Sequence, residues 1–210
     1  MFVDVSMLIE EGSVFRPGTP PVEILRRRFF HESEGAYESA MLSMSVHTAT
    51  HVDLVFPGNR IDPQRMIGVG KLLDVTQVPG GEIGLSHVEH QVDLEERDFV
   101  FFRTDWNKFA NTEKYYNHPE LSMDVIEWLI SKKVNAIGID ALGLGRGPKH
   151  GMYDRLLVTN GIFVIENLAN LSAVTQRRFR TYCLPLRLEN TDAIPARVLI
   201  ELIDETDGKK

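Results

Sequence analysis

Apolar residues fall along this chain in short runs broken by polar turns, and only rarely at helical spacing. Runs at 72–76, 99–103, 134–139, 162–166, 181–188 and 196–203 are rich in β-branched or aromatic residues and predict strands. A short strand is expected at 2–5, followed by a Pro/Gly turn through 16–21. The helix signal is strongest at 123–133. There Val125, Ile126, Leu129 and Ile130 form an apolar stripe, Ser122 offers an N-cap, Asp124 suits the first turn, and Lys132 and Lys133 suit the last. A second helix is expected over 85–92 and a short third one after Asn167, whereas 22–40 is polar and mixed and carries no assignable period. Strands interleave with helices, yet the last two strands follow one another through a turn at 190–193. The expected class is therefore α/β with a mixed rather than wholly parallel sheet.

Composition narrows the function more than the fold. The 210 residues allow one domain of good size over 1–210, with 204–210 a fraying tail. Lys and Arg number 23 against 30 Asp and Glu, a net charge of −7, which disfavours nucleic-acid phosphates and anionic lipid as partners. The first residues lack a basic n-region, and no apolar run approaches the ~20 residues of a membrane helix, so a soluble, cytoplasmic protein is expected. The one cysteine, Cys183, excludes an internal disulfide or a cysteine-caged metal and reads as core.

Candidate chemistry centres on the segment from Val46 to Asp53. His47, Ala49, His51 and Asp53 share one parity, so an extended chain would project two imidazoles and a carboxylate from one face, and these are ligand types for zinc, manganese or iron. At ~3.3 Å per residue the two histidines of a straight strand would lie ~13 Å apart. Either the backbone bends near Ala49 or the pair sits one helical turn apart. Glu166 closes the apolar run 162–165, where a strand's carboxyl end often meets a ligand, and His150 and Asp154 in the preceding segment could converge on the same place. His87 and His90 would lie one turn apart on the expected 85–92 helix, but with no third ligand nearby they read as surface. His118, ahead of Pro119, reads as a turn or capping residue. The run from Gly143 to Gly147 is not a dinucleotide loop, since Pro148 takes the third glycine's place and no convincing helix follows. The Gly68–Lys71 stretch is not a phosphate loop, and no serine-hydrolase elbow exists.

The segment HTATHVD resembles the H-x-G-T-H-x-D signature of the metal-dependent cyclase family, which includes kynurenine formamidases and isatin hydrolases. VDVSMLIEEGSVFRPGTPP, FVFFRTDWNKF, HPELSMDVIEWL, VNAIGIDAL, NGIFVIENLANL and LPLRLENTDAIPARVLIEL follow in that family's order, so the resemblance spans nearly the whole chain. It implies a swivelling β/β/α-type fold, a homodimer or higher homo-oligomer, and a site for one or two divalent ions, zinc or manganese. His47, His51, Asp53 and Glu166 would be ligands, and the substrate would be a small amide or cyclic amide. Three departures stand out. Ala49 replaces the usual glycine, Leu54-Val55-Phe56-Pro57 replaces a segment carrying the family's catalytic histidine, and Asp154 stands twelve residues before the glutamate where a histidine ligand is usual. An aspartate there favours manganese or magnesium over zinc. With the usual histidine absent, Asp154 and His150 are the candidates for moving the proton. A non-catalytic binding protein and a metal-dependent lyase or isomerase are the alternatives.

Overall fold

The computed structural model describes residues 1–56, 58–78 and 81–203. The expected tail at 204–210 and Pro57 lie outside the described residues. Among the described residues, twelve strands and two α-helices occur in the order β1 (Phe2–Asp4), β2 (Glu23–His31), β3 (Gly35–Ser43), β4 (His51–Asp53), β5 (Ile67–Asp74), β6 (Glu82–Ile83), β7 (Phe99–Arg103), β8 (Glu120–Leu121), α1 (Met123–Ser131), β9 (Ala136–Ile139), α2 (Pro148–Thr159), β10 (Phe163–Glu166), β11 (Arg178–Pro185) and β12 (Ala193–Glu201). The main sheet runs β1-β12-β11-β5-β7-β9-β10-β4, and β4 also pairs with β12. That second pairing closes the sheet into a barrel, with β1 outside the ring on the edge of β12. The pairs among β5, β7, β9 and β10 are parallel and the rest antiparallel, so the mixed-sheet expectation holds.

Why β7 reads as unbroken Phe-Val-Phe-Phe follows from the two cores. Phe99 and Phe101 point inward with Val52, Leu72, Ile165, Phe179 and Val198. Val100 and Phe102 point outward, with Leu73, Ile137, Ile139 and Val164, under α1 and α2. Both faces are dry, so alternation gives way to a continuous apolar run. Space inside is tight: a Cβ on Gly138 would come within 2.6 Å of the Phe101 ring.

Helix α1 is where it was expected, and Val125, Ile126 and Leu129 are buried. Ser122 stands at the N-cap without capping by its side chain. Its hydroxyl donates instead to the Ile83 carbonyl, and Lys132 and Lys133 fall just past the last turn. Three expectations are corrected. The helix over 85–92 is only a 3-10 turn at Leu85–His87, in which His87 Nδ1 accepts the Gly84 N–H. A helix does follow Gly147 directly, with Pro148 in its first turn, where the absent N–H costs nothing. And the unassigned 22–40 region holds most of a hairpin, β2 with β3, paired only with each other among the described residues. This arm exposes Leu25, Phe29, Phe30, Tyr37, Met41 and Leu42. No helix among the described residues is long and apolar enough to cross a membrane.

Candidate metal centre

Strand β4 makes the site. His51 pairs with Glu166 and Asp53 with Val164, while Val52 pairs with Ile165. Directly paired residues share a face. Val52 and Ile165 fill the barrel, so His51, Asp53 and Glu166 stand on its outer face, towards α2.

His47 cannot reach that face from a straight strand. The chain turns through Ser45–Thr48, and Ala49 takes a left-handed φ of 53°. Of the two alternatives, the bend at Ala49 is the one used. For a non-glycine residue such a φ costs about 1 kcal/mol. The Ala49 carbonyl is held there by two donors, His51 Nδ1 at 2.9 Å and Asn167 Nδ2 at 3.0 Å. Asn167 is in turn fixed by the Tyr115 hydroxyl, which donates to its Oδ1 at 2.6 Å. The bend brings His47 Nδ1 to 3.2 Å from Asp53 Oδ1 and 3.3 Å from His51 Nε2.

Helix α2 supplies the opposite wall. His150 and Asp154 lie one turn apart on it, with His150 Nε2 3.6 Å from Asp154 Oδ2 and His150 Nδ1 3.7 Å from Glu166 Oε1. Two groups result, His47/His51/Asp53 and His150/Asp154/Glu166, each with ligand atoms mutually within 4.8 Å. They adjoin through His51 Nε2 and Glu166 Oε2, 3.5 Å apart. All six residues singled out in the sequence therefore meet. His87 lies in the 3-10 turn and takes no part, and neither does His90.

Electrostatics show what the cluster lacks. Asp53, Asp154 and Glu166 are buried, and each leaves one buried oxygen (Asp53 Oδ2, Asp154 Oδ1, Glu166 Oε1) without a hydrogen-bond partner among the described residues. Burial pushes Asp154 up to about 9, with the charges of Glu166 and Asp53 adding to it. Burial and Asp53 likewise raise Glu166. His51 would be lowered by burial, but Asp53 and Glu166 hold it up to about 10, and Asp53, opposed by burial, is held well below the usual carboxylate range by His51 and His47. Crowded carboxylates with unmatched oxygens beside imidazole nitrogens suit a divalent cation. Tautomers agree. His51 Nδ1 donates to a carbonyl, so Nε2 is the nitrogen turned to the carboxylates, where a cation would displace its proton, and His47 Nε2 lies 3.2 Å from Asp192 Oδ2, which leaves Nδ1 inward.

Sequence reasoning passed over several neighbours. Gly143 touches the cluster so closely that a Cβ would lie 2.4 Å from His150 Nδ1 and 2.8 Å from Glu166 Oε1. Asp192 comes from the β11–β12 loop, 145 residues from His47. A cavity of about 250 Å³ opens over the cluster, and Arg16, Tyr116, His118 and Arg146 share its walls with His47, His51, His150 and Glu166. His118 lies in the segment HPELSMDVIEWL that carries part of the resemblance; nothing local marks the others.

A closed mixed α/β barrel carrying an imidazole–carboxylate cluster on β4, α2 and the carboxyl end of β10, beneath a cavity, is the class of structure this chain adopts. Within that class the chain belongs to the Cyclase family, whose model matches residues 3–146. It is 27% identical over 210 residues to the kynurenine formamidase of Bacillus thuringiensis (strain Al Hakam), covering 96% of this chain and 98% of that one. The structure of a predicted metal-dependent hydrolase from Bacillus stearothermophilus superposes with a TM-score of 0.79 at 29% identity, covering 95% of this chain and 97% of that one. Isatin hydrolase A from Labrenzia aggregata has the same fold, with a TM-score of 0.82 at 19% identity and coverage of 97% and 94%.

Proposed function

We propose that this protein is a metal-dependent hydrolase of small amides or cyclic amides, cutting C–N bonds other than peptide bonds. The observation that carries this reading is the pair of adjoining groups joined at His51 and Glu166, with three orphaned carboxylate oxygens beneath a cavity of about 250 Å³. The activities named for the formamidase and isatin hydrolase relatives support it.

His47, His51, Asp53 and Glu166 would hold the ion, zinc or manganese, and Asp154 in the second group would shift the balance toward manganese. Such an ion polarises a substrate carbonyl and acidifies a water. The chain's own residues do the rest. The His51 Nδ1–H bond to Ala49 and the His47 contact with Asp192 lock both rings in register. His150 Nε2 takes a proton from the attacking water as its oxygen bonds to the carbonyl carbon, and passes that proton to the leaving nitrogen as the C–N bond breaks, with Asp154, 3.6 Å away, beside the ring. His150 thus takes the place of the family histidine missing around Pro57.

Elemental analysis of the reconstituted protein is expected to read about one or two equivalents of zinc or manganese, with His51→Ala losing both metal and turnover on a panel of aryl amides and lactams. A metal-free wild type, or undiminished turnover in a folded His51→Ala protein, refutes the assignment. The β2–β3 arm supports a homodimer or higher homo-oligomer. A lone two-stranded hairpin is marginal in water, and six large apolar side chains on this one need cover that a second copy would provide. A monomer at micromolar concentration in sedimentation equilibrium would count against that. The single, buried cysteine fits a cytoplasmic setting.

A further inference from the structure

His118 is the imidazole in the cavity that the scheme above leaves unused. It is 2% exposed, yet it lines the cavity alongside His47, His51, His150 and Glu166. Its Nδ1 lies 2.8 Å from the Pro119 carbonyl oxygen. A carbonyl oxygen only accepts, so Nδ1 carries the ring's proton and Nε2 is left as a bare acceptor. That Nε2 has no hydrogen-bond partner among the described residues. Burial, opposed by the Pro119 carbonyl but reinforced by Arg146 and His150, holds the ring down to about 4, so it stays neutral at ordinary pH. The His118 backbone is set between the 3-10 turn at Glu113–Asn117 and β8. There Glu120 is gripped by the Arg146 N–H and by Lys149, so the ring is carried on a braced segment.

An acceptor on a cavity wall selects a ligand that brings a donor, because a bound analogue without one shuts the nitrogen off from water and leaves it unpaired. The donor that every small secondary amide or lactam offers beside its carbonyl is the amide N–H. We infer that His118 Nε2 accepts a hydrogen bond from the N–H of the scissile amide, making His118 a specificity-determining residue and restricting the site to amides and lactams that retain an N–H. This rests on the amide-hydrolase reading for its substrate class but is tested by binding as well as by turnover.

The test compares a bicyclic N–H lactam with its N-methyl counterpart on the metal-loaded protein, by calorimetric affinity and by hydrolysis. The wild type is expected to bind the N–H compound about ten- to a hundredfold more tightly. His118→Leu keeps the bulk of the side chain and removes the acceptor, so the preference should fall to within about twofold while metal content stays unchanged. His118→Gln keeps an acceptor and should fall between them. If the leucine protein does not fold, His118→Met, which also lacks a strong acceptor, is read in its place, and a wild-type preference there overturns the inference. An indifferent wild type overturns it, and so does a preference that survives in His118→Leu, which would be steric. If the N–H preference appears in binding and neither lactam nor any amide is hydrolysed, the hydrolase reading fails and the His118 assignment stands.

Discussion

Asp192→Ala tests whether the rings of the metal centre are held in place from outside it. Asp192 Oδ2 lies 3.2 Å from His47 Nε2, and its side chain is 57% exposed. The loop does not depend on that carboxylate, because the Asp192 backbone carbonyl accepts the Leu54 and Val55 N–H groups at 2.8 and 2.9 Å and does so with any side chain. Removing the carboxylate therefore frees the His47 ring to rotate, or to carry its proton on Nδ1, the nitrogen that faces Asp53. Loss of such an orienting partner typically weakens metal binding by about 10–100-fold. Solvent around Asp192 puts the expected value near the low end, about tenfold or 1.4 kcal/mol. Competition with a chromophoric chelator at neutral pH reads the ratio directly, and the metal-free proteins should melt together. Asp192→Asn keeps an acceptor oxygen and should recover most of the affinity. An Asp192→Ala affinity within twofold of wild type would refute the orienting role. An asparagine variant as weak as the alanine one would refute it differently, by showing that charge and not orientation matters.

Two further substitutions probe the walls of the site. Ala49→Gly relieves about 1 kcal/mol of strain at a φ of 53° but gives up a buried methyl worth about 0.8 kcal/mol at a residue only 1% exposed, so the two nearly cancel. Calorimetry should show a Tm within about 2 °C of wild type, and a larger fall would mean the bend is not strained. Gly143→Ala drives a Cβ into His150 and Glu166 without any left-handed backbone to strain. It should cost about 1–3 kcal/mol and reduce the bound metal. Gly161→Ala, at a φ of 74° with nothing within 4 Å, should lower Tm while holding its metal, and equal metal loss in the two would contradict the steric account.

What the sequence reveals and what it conceals divide along physical lines. The strands through both cores are plain because FVFF and IFVI bury both faces, and chemistry does not disturb them. His47, His51 and Asp53 are visible as a parity, but the bend that makes them a site rests on an alanine in a conformation that glycine usually fills. Helix α2 was hidden because its buried face carries Asp154 beside Tyr153 and Leu157, with His150 one turn before. A carboxylate and an imidazole stand where the apolar period should continue, so the segment reads as a loop. The hairpin was hidden for the opposite reason: most of both its faces is exposed in this chain, so no alternation is imposed on it. Asp192 reaches the site only through barrel closure, 145 residues from His47, and no short window of sequence could contain both. The failures at the site itself have a common origin in β4. Three residues there both close the barrel, between β10 and β12, and present His51 and Asp53 outward. The closing strand must be buried, so its polar ligands are buried with it. The neighbouring elements then break their local patterns to accommodate them, through a left-handed alanine, a carboxylate in a helix core and a glutamate ending a dry strand. Because one short strand serves both purposes, substitutions in it should lower stability and metal affinity together, whereas those in Asp192, which touches the site from solvent, should separate the two.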